Sequence, residues 1–243
     1  MIRAALVTAV AFLLILILLP LLLVYSVLAR ETDTMYRTAI RCVRLVVWLA
    51  GVRMDIQGLE RIPRDRAVVF MPNHQGNADP PALFAVLPPM LALAKKELFS
   101  IPILGRAMRM RGFIPVDRKN RERAVQAVEE AVVKLKDGYS FIAFPEGTRS
   151  RDGRLQPFKK GVFVMAIKAG VPVVPVSVSG SSKIMQKGSP AIRPGRMRIT
   201  VHDAISTEGL TLDDREKLSR EVRAAVLKGL SPDELPLGES EGT

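Results

Sequence analysis

The stretch Val68-Val69-Phe70-Met71-Pro72-Asn73-His74-Gln75-Gly76-Asn77-Ala78-Asp79-Pro80-Pro81 decides the fold. Its first four residues are apolar and half of them β-branched, the composition of a strand buried on both faces. Polar residues then lead into Asp79-Pro80-Pro81, which reads as a helix start. Asp suits an N-cap, and Pro is tolerated in the first turn, where its missing N–H would have no partner anyway. A buried strand that runs through a short loop into a helix is the building unit of an α/β domain. His74 sits in that loop, close enough to Asp79 for the carboxylate to fold back onto one imidazole nitrogen and leave the other free as a base.

Outward from this unit, short apolar runs alternate with amphipathic stretches. The strand candidates are Ala67 to Met71, Leu91 to Ala94, Phe113 to Val116, Ser140 to Phe144, Val171 to Val178 and Arg196 to Val201. Several are apolar throughout, so helices must cover both faces of the sheet. The spacing of Ala124, Val128, Ala131, Val132 and Leu135 predicts a helix over Asn120 to Lys136 with Gly138 just past its end. A second is expected from Lys160 to Lys168, and a third from Thr211, with Asp213 and Asp214 behind it, to about Lys228. The expected fold is thus α/β, a single mixed sheet covered by helices over residues 52–230. A Pro-, Gly- and Glu-rich tail, 231–243, should be frayed.

The segment 1–51 reads as membrane-anchoring helices. No charged residue falls between Ala4 and Ala29. A helix over that stretch would measure about 39 Å, against a hydrocarbon slab of about 30 Å. It is about twice as long as the apolar core of a secretory signal, and no small-x-small cleavage site ends it. Pro20 lies inside it and permits a kink or a re-entrant hairpin. From Thr34 to Gly51, Arg37, Arg41 and Arg44 recur at helical spacing beside Leu45, Val46, Trp48 and Leu49. An interfacial helix and a helix packed on the domain both fit this pattern. Arg30, Arg37, Arg41 and Arg44 follow the apolar run and only Arg3 precedes it, which puts the bulk of the chain on the cytoplasmic face of the inner membrane.

The charge of +12, from 36 Lys plus Arg against 24 Asp plus Glu, favours anionic partners. Aromatics at 5% are too few, and too far from the basic clusters, for a single-stranded nucleic-acid platform, so nucleic acid is not an expected partner. One cysteine, Cys42, excludes an internal disulfide or a Cys-based metal cluster. There is no phosphate-binding P-loop, no dinucleotide fingerprint and no His-Glu-x2-His, so neither metal nor cofactor is expected. Nor is there a Gly-x-Ser-x-Gly elbow, and a His-Asp pair without that serine would activate a substrate hydroxyl instead.

Three further blocks stand beside His74-x4-Asp79. Phe144-Pro145-Glu146-Gly147-Thr148-Arg149-Ser150 ends an apolar run in a turn whose Arg149 offers a planar fork for phosphate. Gly112-Phe113-Ile114-Pro115-Val116-Asp117-Arg118 lies in the most basic stretch of the chain, and Val171-Pro172-Val173-Val174-Pro175-Val176 marks a strand start or edge.

In this order the four blocks resemble those of the glycerolipid acyltransferase family, most closely its bacterial members that acylate 1-acyl-sn-glycerol 3-phosphate. The resemblance covers roughly residues 50–205. It implies that His74 is a general base oriented by Asp79, with no acyl-enzyme. It also implies a glycerophosphate site made of Arg118, Glu146, Gly147, Thr148 and Arg149, with Lys95 as a further phosphate contact in preference to Lys96. The implied partners are lysophosphatidic acid, an acyl carrier protein or coenzyme A thioester as co-substrate, and membrane lipids; the implied product is phosphatidic acid for phospholipid biosynthesis. Another acceptor, such as a lyso-ornithine lipid or glycerol 3-phosphate, and a catalytically inactive lipid-binding protein are the alternatives. One departure is Gly76, where family members commonly carry Ser.

Overall fold

Each strand candidate named above contains a strand in the computed structural model, which describes residues 7, 9–10, 13–117, 120–186 and 192–237. The strands are β1 (Val52–Gln57), β2 (Val69–Pro72), β3 (Leu91–Lys95), β4 (Ile114–Val116), β5 (Phe141–Ile142), β6 (Val173–Ser179) and β7 (Gly195–Val201). They make one sheet in the order β1-β7-β6-β2-β5-β3-β4. Only β6 and β7 pair antiparallel, so the sheet is mixed, as expected. The strand not anticipated is β1. Arg53, Asp55 and Gln57 are exposed and alternate with half-buried Val52, Met54 and Ile56, which is how an edge strand with one wet face is built. A search for continuous apolar runs passes over it.

The helices are α1 (Leu19–Ala29), α2 (Asp33–Leu49), α3 (Asp79–Val86), α4 (Leu104–Arg111), α5 (Arg121–Lys136), α6 (Gly161–Ala169), α7 (Ser181–Ile184) and α8 (Arg215–Leu227). Asn120 caps α5 by accepting the Arg123 N–H at 3.0 Å. Thr211 opens a short 3-10 turn ahead of α8, and the Asp214 carboxylate accepts the Thr211 N–H at 2.8 Å. Successive β2 residues point to opposite faces. Val69 and Met71 join Phe141, Phe163 and Val222 on the face covered by α5, α6 and α8. Val68 and Phe70 join Leu83, Ile142 and Ile199 on the other, under α3. Burying one side chain such as Phe70, 0% exposed, contributes about 1.5–3 kcal/mol.

At the N-terminus, a π-helical turn (Leu14–Leu18) runs without a break into α1, whose second residue is Pro20; its missing N–H removes one helical hydrogen bond beside the π-turn. The chain then reverses through Arg30, whose φ of 53° ends α1, and returns as α2. The reversal therefore falls at Arg30 and not at Pro20. Among the described residues no helix is long and apolar enough to cross a membrane; part of the 4–29 stretch lies outside them.

The expectation of a frayed tail is overturned for 231–237. The Ser231 N–H donates to Glu234 Oε2 at 3.0 Å, and Glu234 is only 3% exposed. The Leu155 N–H donates to the Glu234 carbonyl at 2.9 Å, and Arg154 donates to that of Leu235 at 2.7 Å. Composition suggested disorder, but the polar side chain is matched by backbone donors that lie far away in sequence. Residues 238–243 lie outside those described.

Where β6, β7 and α8 meet, Ser177 Oγ donates to the Val226 carbonyl at 2.6 Å and lies 2.7 Å from His202 Nε2. The hydroxyl proton is spent on the carbonyl, so Nε2–H is the donor to Oγ. Burial holds the His202 imidazole below the usual histidine range; the Arg61 and Lys228 charges add to this and Asp203 opposes it. A depressed folded-state value means that the group's contribution is complete above the ordinary histidine range and is lost as pH falls through the lowered value. Urea unfolding between about pH 8 and about pH 5 should therefore show stability falling more steeply on acidification in the wild type than in His202→Gln. Equal slopes would contradict this reading.

Candidate active site

The strands β2, β5, β3 and β4 are mutually parallel, so their C-terminal ends share one edge of the sheet. His74 and Asp79 follow β2, the Phe144–Ser150 block follows β5, Lys95 ends β3 and Asp117 follows β4. In open α/β sheets this edge is where ligands bind.

Asn73 sets the direction of the first loop. Its Nδ2 donates to the Val178 carbonyl at 2.8 Å, and its Oδ1 accepts the Val178 N–H at 2.7 Å, so the side chain continues the β2–β6 ladder after the main chain has left it. The loop then closes on Asp79, which is fully buried. Its Oδ2 lies 2.6 Å from His74 Nδ1 and accepts the N–H groups of Gln75 at 2.7 Å and Gly76 at 2.9 Å. This corrects the N-cap expectation: Asp79 is the first residue of α3, behind Ala78, and makes no side-chain cap bond. Pro80 and Pro81 have no N–H to offer it, and the upstream amides take their place.

A carboxylate can only accept, so Nδ1 carries the proton and donates it to Asp79. That leaves a lone pair on Nε2. The imidazole stacks on the Phe144 ring, with centroids 4.0 Å apart at 26°, and the His74 side chain remains 12% exposed. The ring is fixed in plane and tautomer, with its basic nitrogen unspent.

Gly76 explains its own identity. A Cβ there would lie 2.8 Å from the Met185 carbonyl oxygen and 2.9 Å from that of Ser181, both backbone atoms at α7. The Asn77 N–H donates to the same Met185 carbonyl at 2.9 Å. Ser in this position would push α7 off the loop.

The second loop grips the first. Glu146, 2% exposed, accepts the His74 N–H on Oε1 at 2.6 Å and the Gln156 N–H on Oε2 at 3.0 Å. The Ser150 N–H donates to the His74 carbonyl at 2.8 Å. Burial pushes the Glu146 carboxyl up to about 8 against the pull of its two N–H donors, and the Asp79 charge adds to the rise. Gly147 turns the chain at φ 67°, its N–H donating to the Phe144 carbonyl at 3.0 Å, and this brings exposed Thr148 and half-buried Arg149 to the tip.

Of the remaining expected residues, the Lys95 side chain is 61% exposed and 3.5 Å from Glu97, whereas Lys96 is drawn to Asp117 at 2.6 Å. Arg118 lies outside the described residues. Phe144 as a platform for His74, Gln156 as the second donor to Glu146, and the packing of α7 on Gly76 were not anticipated. Only Phe144 had a signal, as the aromatic at the head of its block. Among the described residues no group of three or more His, Cys, Asp or Glu could hold a metal ion. An apolar cavity of about 350 Å³ opens beside Ala78 and Pro81, between α2, Leu19 and Met197.

The acyltransferase family profile matches residues 53–179. The 1-acyl-sn-glycerol-3-phosphate acyltransferase BAT2 of Brassica napus is 42% identical over 63% of this chain; the chain spans only 45% of that relative's length. The 1-acyl-sn-glycerol-3-phosphate acyltransferase of Borreliella burgdorferi is 32% identical over 78% of this chain and 76% of its own length. The crystal structure of the 1-acyl-sn-glycerophosphate acyltransferase of Thermotoga maritima superposes with a TM-score of 0.80 at 30% identity, covering 94% of this chain and 95% of that one. The matched span holds both the His74–Asp79 loop and the Glu146 turn that grips it, and on that ground the chain belongs to the acyltransferase family.

Proposed function

We propose that the chain transfers a fatty acyl group from a thioester, on acyl carrier protein or coenzyme A, to the 2-hydroxyl of 1-acylglycerol 3-phosphate, giving phosphatidic acid. The observation that carries this reading is the free Nε2 of His74, held by the 2.6 Å bond between Nδ1 and Asp79 and by the Phe144 ring. The names of the Brassica, Borreliella and Thermotoga relatives support the choice of acceptor.

In this mechanism Nε2 takes the hydroxyl proton as the oxygen attacks the thioester carbonyl. The tetrahedral intermediate collapses, the C–S bond breaks, and the imidazolium returns the proton to the departing sulfur. Ester and thiol are the products, and no acyl-enzyme forms. The acceptor phosphate is assigned to Arg149, Arg118 and Lys95, with the backbone of Gly147 and Thr148 beside it. Glu146 is assigned a supporting role, since both its oxygens are engaged by backbone N–H groups. With its carboxyl up to about 8, most of it is protonated at neutral pH and adds little negative charge beside a phosphate.

The acyl chain is placed in the apolar cavity beside Pro81. Leu21, Leu28 and Trp48 are 63%, 79% and 72% exposed on α1 and α2. Apolar side chains at such exposure suit a bilayer better than water, so α1 and α2 are assigned to one leaflet of the inner membrane on its cytoplasmic face. Residues 1–51 then act as the anchor of an acyltransferase domain over 52–230.

A purified-protein assay with lysophosphatidic acid and each thioester, reading product by mass, tests the activity. His74→Ala should lower kcat by about 10²- to 10⁴-fold while membrane association persists; near-normal turnover would remove the base. Arg149→Ala should raise the KM for lysophosphatidic acid by about tenfold or more, and an unchanged KM would remove the phosphate role. In the wild type that KM should climb as pH rises through about 8, because the Glu146 carboxylate then forms near the phosphate. A KM flat across that range would exclude the charge effect.

A further inference from the structure

The loop His74–Asn77 is held from two sides, and both supports lead to one residue near the C-terminus. On the first side, the His74 N–H donates to Glu146 Oε1, and the Gln156 N–H donates to Glu146 Oε2. The residue before Gln156 is buried Leu155, whose N–H donates to the Glu234 carbonyl at 2.9 Å. Arg154 secures the same segment by donating to the Leu235 carbonyl at 2.7 Å. On the second side, Asn77 and Gly76 rest on the carbonyls of α7 and Met185. The entry to α7 is Gly180, whose N–H donates to Glu234 Oε1 at 2.7 Å. Ser181 Oγ, the next residue, reaches Gln75 Oε1 at 3.4 Å.

We infer that Glu234 is a positioning residue for His74: its carbonyl holds the 154–156 segment behind Glu146, and its carboxylate holds the start of α7 behind Gly76. The inference rests on the reading of His74 as the base. A carboxylate 3% exposed is costly to bury, and its cost is met by the Gly180 and Ser231 N–H groups on its two oxygens. A chain end that only needed docking could be covered by apolar residues. A buried acceptor that engages the β6–α7 junction and its own turn at once imposes a geometry as well. A displacement near 1 Å at a catalytic group can cost about 10²-fold in rate, so a partial loosening is expected to cost less.

Glu234→Gln keeps the size but turns one acceptor oxygen into a donor, which then opposes either the Gly180 or the Ser231 N–H. The expected result is a kcat about tenfold lower with KM for both substrates within about twofold. A displaced proton NMR signal of the His74 Nδ1–H···Asp79 bond should accompany it. Arg154→Ala removes the guanidinium bond to the Leu235 carbonyl and leaves Glu234 itself intact, and should move kcat and the NMR signal the same way by a smaller amount. If Glu234→Gln does not fold, Arg154→Ala carries both readouts. Wild-type kcat in the folded variants, or a lowered kcat with the His74 signal unmoved, overturns the inference. Absence of acyl transfer by the wild type would instead sink the proposed activity, and the NMR arm would still decide the role of Glu234.

Discussion

Asp79 Oδ2 takes three donors at once, the Nδ1–H of His74 and the N–H groups of Gln75 and Gly76, all within 2.9 Å. A buried carboxylate carries a desolvation penalty of several kcal/mol, which falls only when charge-assisted hydrogen bonds replace water. The loop from His74 to Ala78 is wound tightly enough to supply them. The tautomer of His74, the free Nε2 and the plane of the ring all follow from that winding. Carboxylate and loop support one another: the amides need an acceptor, and Pro80 and Pro81 leave Asp79 none to serve downstream.

The rest of the molecule holds that loop still. The sheet brings together blocks that are separated by some seventy residues of chain, because parallel strands with interposed helices must all discharge their C-termini on one side. Between β2 and the turn after β5 the lock is short-range and directional, Glu146 and the Ser150 N–H clasping His74 from both its amide and its carbonyl. β7 reverses direction and carries β1 out to the edge, where half of the strand faces water. That end of the sheet therefore supports the site without contributing a loop of the four-strand edge.

Of the two readings of the amphipathic α2, interfacial or packed on the domain, the structure shows the packing. Arg44 Nε donates to the Ala85 carbonyl at 2.8 Å, the Met90 N–H donates to Tyr36 Oη at 3.3 Å, and Arg111 lies 4.8 Å over the Tyr36 ring. These bonds tie the helix to α3, to the turn after it and to α4. Arg37, Arg41 and Trp48, on the same stripe of the helix as Arg44, remain exposed.

The sequence by itself determined the class of fold, six of the seven strands and the three clearest helices, because apolar period and capping residues are local properties that a chain displays wherever it is read. It also marked His74, Asp79 and the Phe144–Ser150 block as belonging together. Only the tertiary structure decided what these residues do to one another. Asp79 looks backward instead of capping α3, because the amides within reach depend on how the loop closes. Glu146, which the family resemblance assigned to a ligand, spends both oxygens on the backbone of His74 and Gln156. The half-exposed strand β1 and the docked segment 231–237 escaped for one shared reason. Their residues are polar in composition and gain their order from partners far away in sequence, and such long-range satisfaction of N–H and carboxylate groups leaves no trace in a local window.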